Sequence, residues 1–172
     1  MHPSGAVLDT SFFITLAGKD RAHHAAARDY WRWLIEKGVP LYLPTIVVSE
    51  FYLRQELPPE ITRACITLPF NWDDAIQCSK FRFPLSDRDP STPRESLKDD
   101  LKILAQAVVQ NAAYLITDDE GFHRTATRLK AEGQSPCISI HLKDGFSETQ
   151  LDPTGQGLLF GTWPAPNADF EA

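Results

Sequence analysis

The stretch Ala6-Val7-Leu8-Asp9-Thr10-Ser11 is three apolar residues stopped by a carboxylate and two hydroxyls. So short and wholly apolar a run reads as a strand buried on both faces. Tyr114-Leu115-Ile116-Thr117-Asp118-Asp119 repeats the plan, again ending in acid. Pro40-Leu41-Tyr42-Leu43 and 137–142 read as further strands, and 61–68 (ITRACITL), though ambiguous in period, is β-branched enough for another. Helical segments alternate with them. Residues 10–17 make one or two turns capped by Thr10 or Ser11. Asp20 caps a helix to Lys37 that Gly38 terminates, and another runs from Pro44-Thr45 to about Leu57, before Pro58-Pro59. Asn71 caps a helix to near Phe81 with Asp74 at its third position, Ser96 caps one to Gln110, and 122–131 form the last. This alternation predicts an α/β domain of three layers, a parallel sheet of about four to five strands flanked by helices. Ligands bind beyond the carboxyl ends of such strands, so Asp9 and Asp118-Asp119 belong to one edge.

The chain has 172 residues, 42% hydrophobic and 23% charged, which is room for one ordinary domain and excludes a disordered or collagen-like chain. Residues 1–150 read as that domain, and 151–172, rich in Pro and Gly, as an irregular tail. The polar, proline-punctuated segment 83–95 (FPLSDRDPSTPRE) is long enough to suggest a functional loop. No apolar run approaches the ~20 residues of a membrane helix. The start Met1-His2-Pro3-Ser4-Gly5-Ala6 lacks the basic and apolar blocks of a signal peptide. Cys65, Cys78 and Cys137, odd in number and widely spaced, fit a reduced cytoplasmic chain rather than a disulfide or zinc scaffold. Neither phosphate-binding glycine loop nor nucleophile elbow is present.

The net charge of −6 argues against nucleic-acid binding by bulk attraction. Its distribution is more informative. Residues 1–86 hold 9 Lys/Arg and 9 Asp/Glu, whereas 87–172 hold 8 and 14, with acids grouped at Asp99-Asp100 and Asp118-Asp119-Glu120. On a helical wheel for 45–57, Glu50 falls among Ile46, Leu53 and Leu57, a costly place unless it is ion-paired with Arg54 or bound to a metal. On the wheel for 96–110, Leu97, Leu101, Leu104 and Val108 mark the core face. Asp99 points away from it and Asp100 lies on its flank, free to reach the sheet edge. Asp9, Glu50, Asp100 and Asp118 or Asp119 are therefore expected to converge. Oxygen-only ligands suit Mg²⁺ or Mn²⁺, and such acid clusters serve metal-assisted phosphoryl transfer. The histidines are expected to be surface or satisfied residues.

These residues resemble a PIN-domain ribonuclease, the class that includes VapC-type toxins of bacterial toxin–antitoxin pairs. The matching pieces are VLDTS (7–11), LYLPTIVVSEF (41–51) after a helix, DLKILAQA (100–107) and YLITDDEGF (114–122), in family order and near-family spacing. The resemblance implies that Asp9, Glu50, Asp100 and Asp119 are the four family acids, with Asp118 competing for the last place. It implies that Ser11 and Thr117 support them, that Mg²⁺ or Mn²⁺ is the cofactor, and that single-stranded RNA is the substrate. An antitoxin protein or a second copy of the chain is the partner that toxin relatives take.

Arg82, Arg88, Arg94, Lys98 and Lys102, in or beside 83–95, are the expected RNA-binding cations. The alternative is a catalytically silent PIN-like module that binds protein or RNA. Its support is the aromatic content of 12–52 (Phe12, Phe13, Tyr30, Trp31, Trp33, Phe51, Tyr52), more than one core face needs.

Overall fold

Ala6–Leu8 (β1) is buried at every position, as an all-apolar strand must be. Gly5 leads into it at φ +112, where a Cβ would meet the Tyr42 ring at 2.5 Å and the Pro40 carbonyl oxygen at 2.7 Å, so this entrance admits only glycine. The computed structural model describes residues 5–82 and 94–151. After β1 come α1 (Thr10–Ala17), α2 (His24–Glu36), β2 (Leu41–Pro44), α3 (Thr45–Tyr52), α4 (Pro59–Ala64) and β3 (Cys65–Leu68). Then follow α5 (Trp72–Lys80), α6 (Arg94–Val109), β4 (Tyr114–Thr117), α7 (Glu120–Ala131), β5 (Ile138–His141) and α8 (Glu148–Leu151).

The strands form one parallel sheet in the order β3-β2-β1-β4-β5, the architecture expected. The chain winds outward through β2 and β3, then returns past β1 to β4 and β5. Right-handed crossovers therefore put α1–α4 on one face and α5–α7 on the other. Winding reverses between β1 and β4, and a parallel sheet opens a ligand crevice at such a reversal. Leu8 pairs with Ile116 and Val7 with Tyr42, which brings Asp9, Thr117 and the start of α3 to one level at the carboxyl edge. Residues 145–150 are tied to α2, where the Tyr30 hydroxyl lies 2.8 Å from Gln150 Oε1 and 3.0 Å from the Gly145 carbonyl oxygen and donates its one proton between them.

Several boundaries differ from expectation, each for a local reason. α1 is capped by Asp9, whose Oδ1 accepts the Phe12 N–H at 2.8 Å, not by Thr10 or Ser11. α2 begins at His24 rather than after Asp20, because residues 18–24 turn through successive bonds from Arg21 N–H to Gly18 and from His24 N–H to Arg21. α3 stops at Tyr52, and its core face is Val47 and Phe51; Leu53 is 87% exposed, so the stripe that seemed to bury Glu50 is not the buried one. Pro58 and Pro59 open α4, which occupies 59–64 and delays β3 to Cys65. α6 starts at Arg94, which puts Ser96 in its first turn rather than at its cap. α7 starts at Glu120, under an Asp119 cap. The Asn71–Asp74 capping box of α5 forms as read. Most of segment 83–95 and all of 152–172 lie outside the described residues.

The aromatics of 12–52 belong to the core. Phe12, Phe13, Tyr30, Trp31, Trp33 and Phe51 are all buried and only Tyr52 is exposed, which removes the observation favouring a silent binding module.

Candidate active site

Two of the helices that begin at the sheet's carboxyl edge, α1 and α7, are each capped by an acid three residues ahead of a buried phenylalanine. Asp9 caps α1 through the Phe12 N–H, and Asp119 caps α7 through the Phe122 N–H at 2.8 Å. Phe12 and Phe122 anchor each first turn in the core, so the carboxylate cannot drift. The Asp-x-x-Phe spacing of 9–12 and 119–122 is a signal that sequence reasoning passed over.

Asp9 is 4% exposed and heavily held. The Ser11 hydroxyl lies 2.9 Å from each of its oxygens, and the Thr117 hydroxyl donates to Oδ2 at 2.7 Å. With the Phe12 N–H, three donors meet about four lone-pair positions, leaving Asp9 roughly one to offer. The Thr117 oxygen also accepts the Asp119 N–H at 2.9 Å, and Ser11 Oγ accepts the Asp118 N–H at 2.7 Å. The two hydroxyls thus lock the ends of β1 and β4 together.

Glu50 reaches the same place from α3, where its Oε2 accepts the Thr10 hydroxyl rather than pairing with Arg54. Asp100 reaches it from α6 and accepts no hydrogen bond from a described residue. Asp9, Glu50, Asp100 and Asp119 line one cleft of about 340 Å³, with Thr10, Ser11 and Arg54 at its wall. Asp99 turns the other way and takes Lys102 Nζ at 2.7 Å, as the wheel implied.

Electrostatics follow from the crowding. Burial pushes the Asp9 carboxyl up to about 7, against the lowering effect of its hydrogen bonds. Asp100 is pushed up to about 8, first by burial and then by the charges of Asp9, Asp119, Glu50 and Asp99. Among the described residues no three acid, His or Cys side chains form a ready-made metal cage. Their chemistry fits a hard divalent ion: carboxylate oxygens only, with Asp100 and Asp119 Oδ2 bound to no described residue.

Asp118 is not part of this cleft. Its Oδ2 accepts the Thr15 hydroxyl at 2.6 Å and its Oδ1 lies 2.6 Å from His23 Nδ1, so it faces α1 and α2. Successive residues leaving a strand point to opposite sides, which separates it from Asp119. His23 therefore has a carboxylate partner that its sequence context did not disclose. His123 and His141 stack at 5.2 Å, away from the acids.

Of the expected RNA-binding cations, those with described side chains (Arg82, Lys98 and Lys102) do not line the cleft. Arg88 and the Arg94 side chain lie outside the described residues; Lys102 is engaged with Asp99; Lys98 and Arg82 are exposed elsewhere. Among the described residues Arg54 is the cation at the wall, and in the sequence it stands out only as a possible partner for Glu50.

A model of the PIN domain matches residues 6–128. The chain belongs to the PIN domain family. Members of that family are generally nucleases, and the match spans Asp9, Glu50, Asp100 and Asp119. No curated protein matches this PIN domain in sequence. Among solved structures it is similar to VapBC2 from Rickettsia felis bound to a promoter DNA fragment, with TM-score 0.51 and 15% identity over 79% of this chain and 97% of that one. DNA-bound VapBC from Salmonella typhimurium is also similar, with TM-score 0.50 and 15% identity over 81% and 98%. At that identity the likeness is one of fold. No described helix of this PIN domain is long and apolar enough to cross a membrane.

Proposed function

We propose that this PIN domain is a Mg²⁺- or Mn²⁺-dependent endoribonuclease that hydrolyses phosphodiester bonds of single-stranded RNA. The observation that carries the reading is the meeting of Asp9, Glu50, Asp100 and Asp119, from four separate elements, in one cleft. Crowding four acids into one cleft, with Asp9 buried and Glu50 and Asp100 half-buried, is unfavourable for folding, and a catalytically silent domain has no physical reason to keep them.

Asp9, Asp100 and Asp119 are the residues that would hold the ion. When bound, it polarises the attacking water and neutralises charge on the scissile phosphate. Ser11 and Thr117 aim Asp9 and favour its ionised form by donating to it, against the burial that raises its pKa. Thr10 orients Glu50, which in turn positions the water and accepts its proton. The bond between water oxygen and phosphorus forms as the bond to the leaving ribose oxygen breaks, and that oxygen takes up a proton. No protein nucleophile is needed.

The VapBC complexes of like fold support a toxin role with an antitoxin-type partner protein. Free Cys65, Cys78 and Cys137 suit a reducing, cytoplasmic setting.

The deciding experiment is a titration of Mg²⁺ and Mn²⁺ against a labelled single-stranded RNA, with EDTA as control. Cleavage that appears with metal and is lost in Asp100→Asn is the expected result. Intact RNA at millimolar metal with folded protein rejects the enzyme.

A further inference from the structure

Beside the acidic cleft, a second hollow of about 240 Å³ opens between the end of α1 and the segment after α3. Ile14 and Arg54 line both, so the two are adjacent. Among the described residues the second hollow contains two arginines, Arg21 and Arg54, and no acid. Arg54 follows Glu50 by four residues. The Arg54 and Gln55 N–H groups bond to the Phe51 carbonyl at 2.9 and 3.0 Å, which carries the chain through a further turn. Arg21 is placed by Gly18: a Cβ there would meet Arg21 Cδ at 2.8 Å and Cγ at 2.9 Å, so the missing side chain is what lets the arginine stem lie against the end of α1.

Neither guanidinium has an ion-pair or hydrogen-bond partner among the described residues. Exposed arginines nearby behave differently, since Arg28 and Arg32 both stand against Asp29. Two unpaired guanidinium groups in one hollow repel each other and suit an anion with several oxygens, above all a phosphate, which their planar forks grip bidentately.

An acidic reaction cleft repels every phosphate except one that a metal holds. A strand crossing it therefore needs cations where it leaves. We propose that Arg21 and Arg54 form a subsite for the phosphodiester next to the scissile one, holding single-stranded RNA as it runs from the acidic cleft over the end of α1. This rests on the nuclease reading above and moves the strand path away from the Arg82–Lys102 side. Adjacency to the acid cleft, through the shared Ile14 and Arg54, favours the substrate strand over an acidic protein segment.

The test uses the full chain and a labelled single-stranded RNA oligonucleotide. Binding is followed by anisotropy in an Asp100→Asn background, and cleavage in the otherwise native protein. Arg21→Ala with Arg54→Ala is expected to weaken binding roughly tenfold at low salt and to reduce the slope of log Kd against log salt by about 1.4, near 0.7 for each lost contact. KM should rise while kcat stays within about threefold, because a flanking phosphate is held alike in ground and transition states. Arg21→Lys with Arg54→Lys should keep most of the salt slope and part of the affinity, and Arg28→Ala should change neither. Native affinity and slope in the double alanine variant overturn the subsite. That is also the result if the hollow receives an acidic protein segment. Equal losses in Arg28→Ala overturn it too, since the effect is then bulk charge. Arginine-dependent binding without cleavage under either metal rejects the nuclease reading and leaves the strand subsite standing.

Discussion

The Thr117 hydroxyl donates to Asp9 Oδ2 at 2.7 Å while its oxygen receives the Asp119 N–H at 2.9 Å, so a single atom fixes two acids from two strands. Thr117→Val keeps the shape and removes that atom. Buried Asp9 then loses a donor, at a cost of about 1.5–3 kcal/mol for a hydrogen bond to a charged group. Thermal unfolding should fall by several degrees and kcat should drop, whereas Thr117→Ser should retain most of both. Unchanged melting and kcat in Thr117→Val would show that Ser11 suffices alone.

Asp99 and Asp100 are neighbours with opposite fates. Asp100→Asn should lower kcat by about a hundredfold or more, since a metal ligand carries several kcal/mol of transition-state stabilisation. Asp99→Asn removes only a part-exposed pair with Lys102 and should leave most activity. The metal-free Asp100→Asn protein should also melt higher than the native chain, because it removes a charge disfavoured first by burial and then by the neighbouring acids. Steady-state kinetics and a thermal scan in EDTA check all three; an active Asp100→Asn overturns the site.

The elevated carboxyls of Asp9, at about 7, and Asp100, at about 8, set a pH dependence. The native state of the metal-free protein holds protons there that the unfolded chain, titrating near 4, releases. Their contribution to stability is therefore complete below about pH 4 and is lost as pH rises through 7 to 8. Other carboxylates add their own slopes, so the measurement is a difference: Asp100→Asn minus native, in EDTA, should grow from pH 5 to 9. Millimolar Mg²⁺ or Mn²⁺ should raise the native melting temperature most at high pH, where the ligands are ionised. A difference that stays flat across this range contradicts the crowding of charge.

Asp118 and Asp119 can be separated by the same substitution. Asp119→Asn still caps α7, because asparagine accepts the Phe122 N–H as well, yet it removes a charge from the cleft. Activity and metal-induced stabilisation should fall together while apo stability holds. Asp118→Asn weakens the contacts to Thr15 and His23, so it should lower stability but leave the metal response intact. Reversal of the two phenotypes would return Asp118 to the site.

Periodicity and punctuation in the chain sufficed for the alternation of strands and helices, since short all-apolar runs can only be two-sided strands. They also placed Asp9 and the 118–119 pair at strand ends, and the wheel for α6 separated Asp100 from Asp99, because side-chain direction in a regular helix follows from spacing alone. The wheel for α3 failed where regularity failed: the helix stops at Tyr52, so the stripe through Leu53 and Leu57 does not exist, although Glu50 still reaches the cleft through Thr10.

What spacing could not supply was the choice between adjacent acids at the end of β4. That choice depends on which side of the sheet edge each faces, and so on where α1 and α2 pack: His23, 95 residues away, draws Asp118 aside. The same holds for Arg21 and Arg54, unremarkable charges in sequence that become a pair only because α1 lies against α3. Local pattern determines the elements and the chemistry each can offer. Only the tertiary packing decides which of those groups stand in one another's field, because charge interactions depend on distance through space and not along the chain.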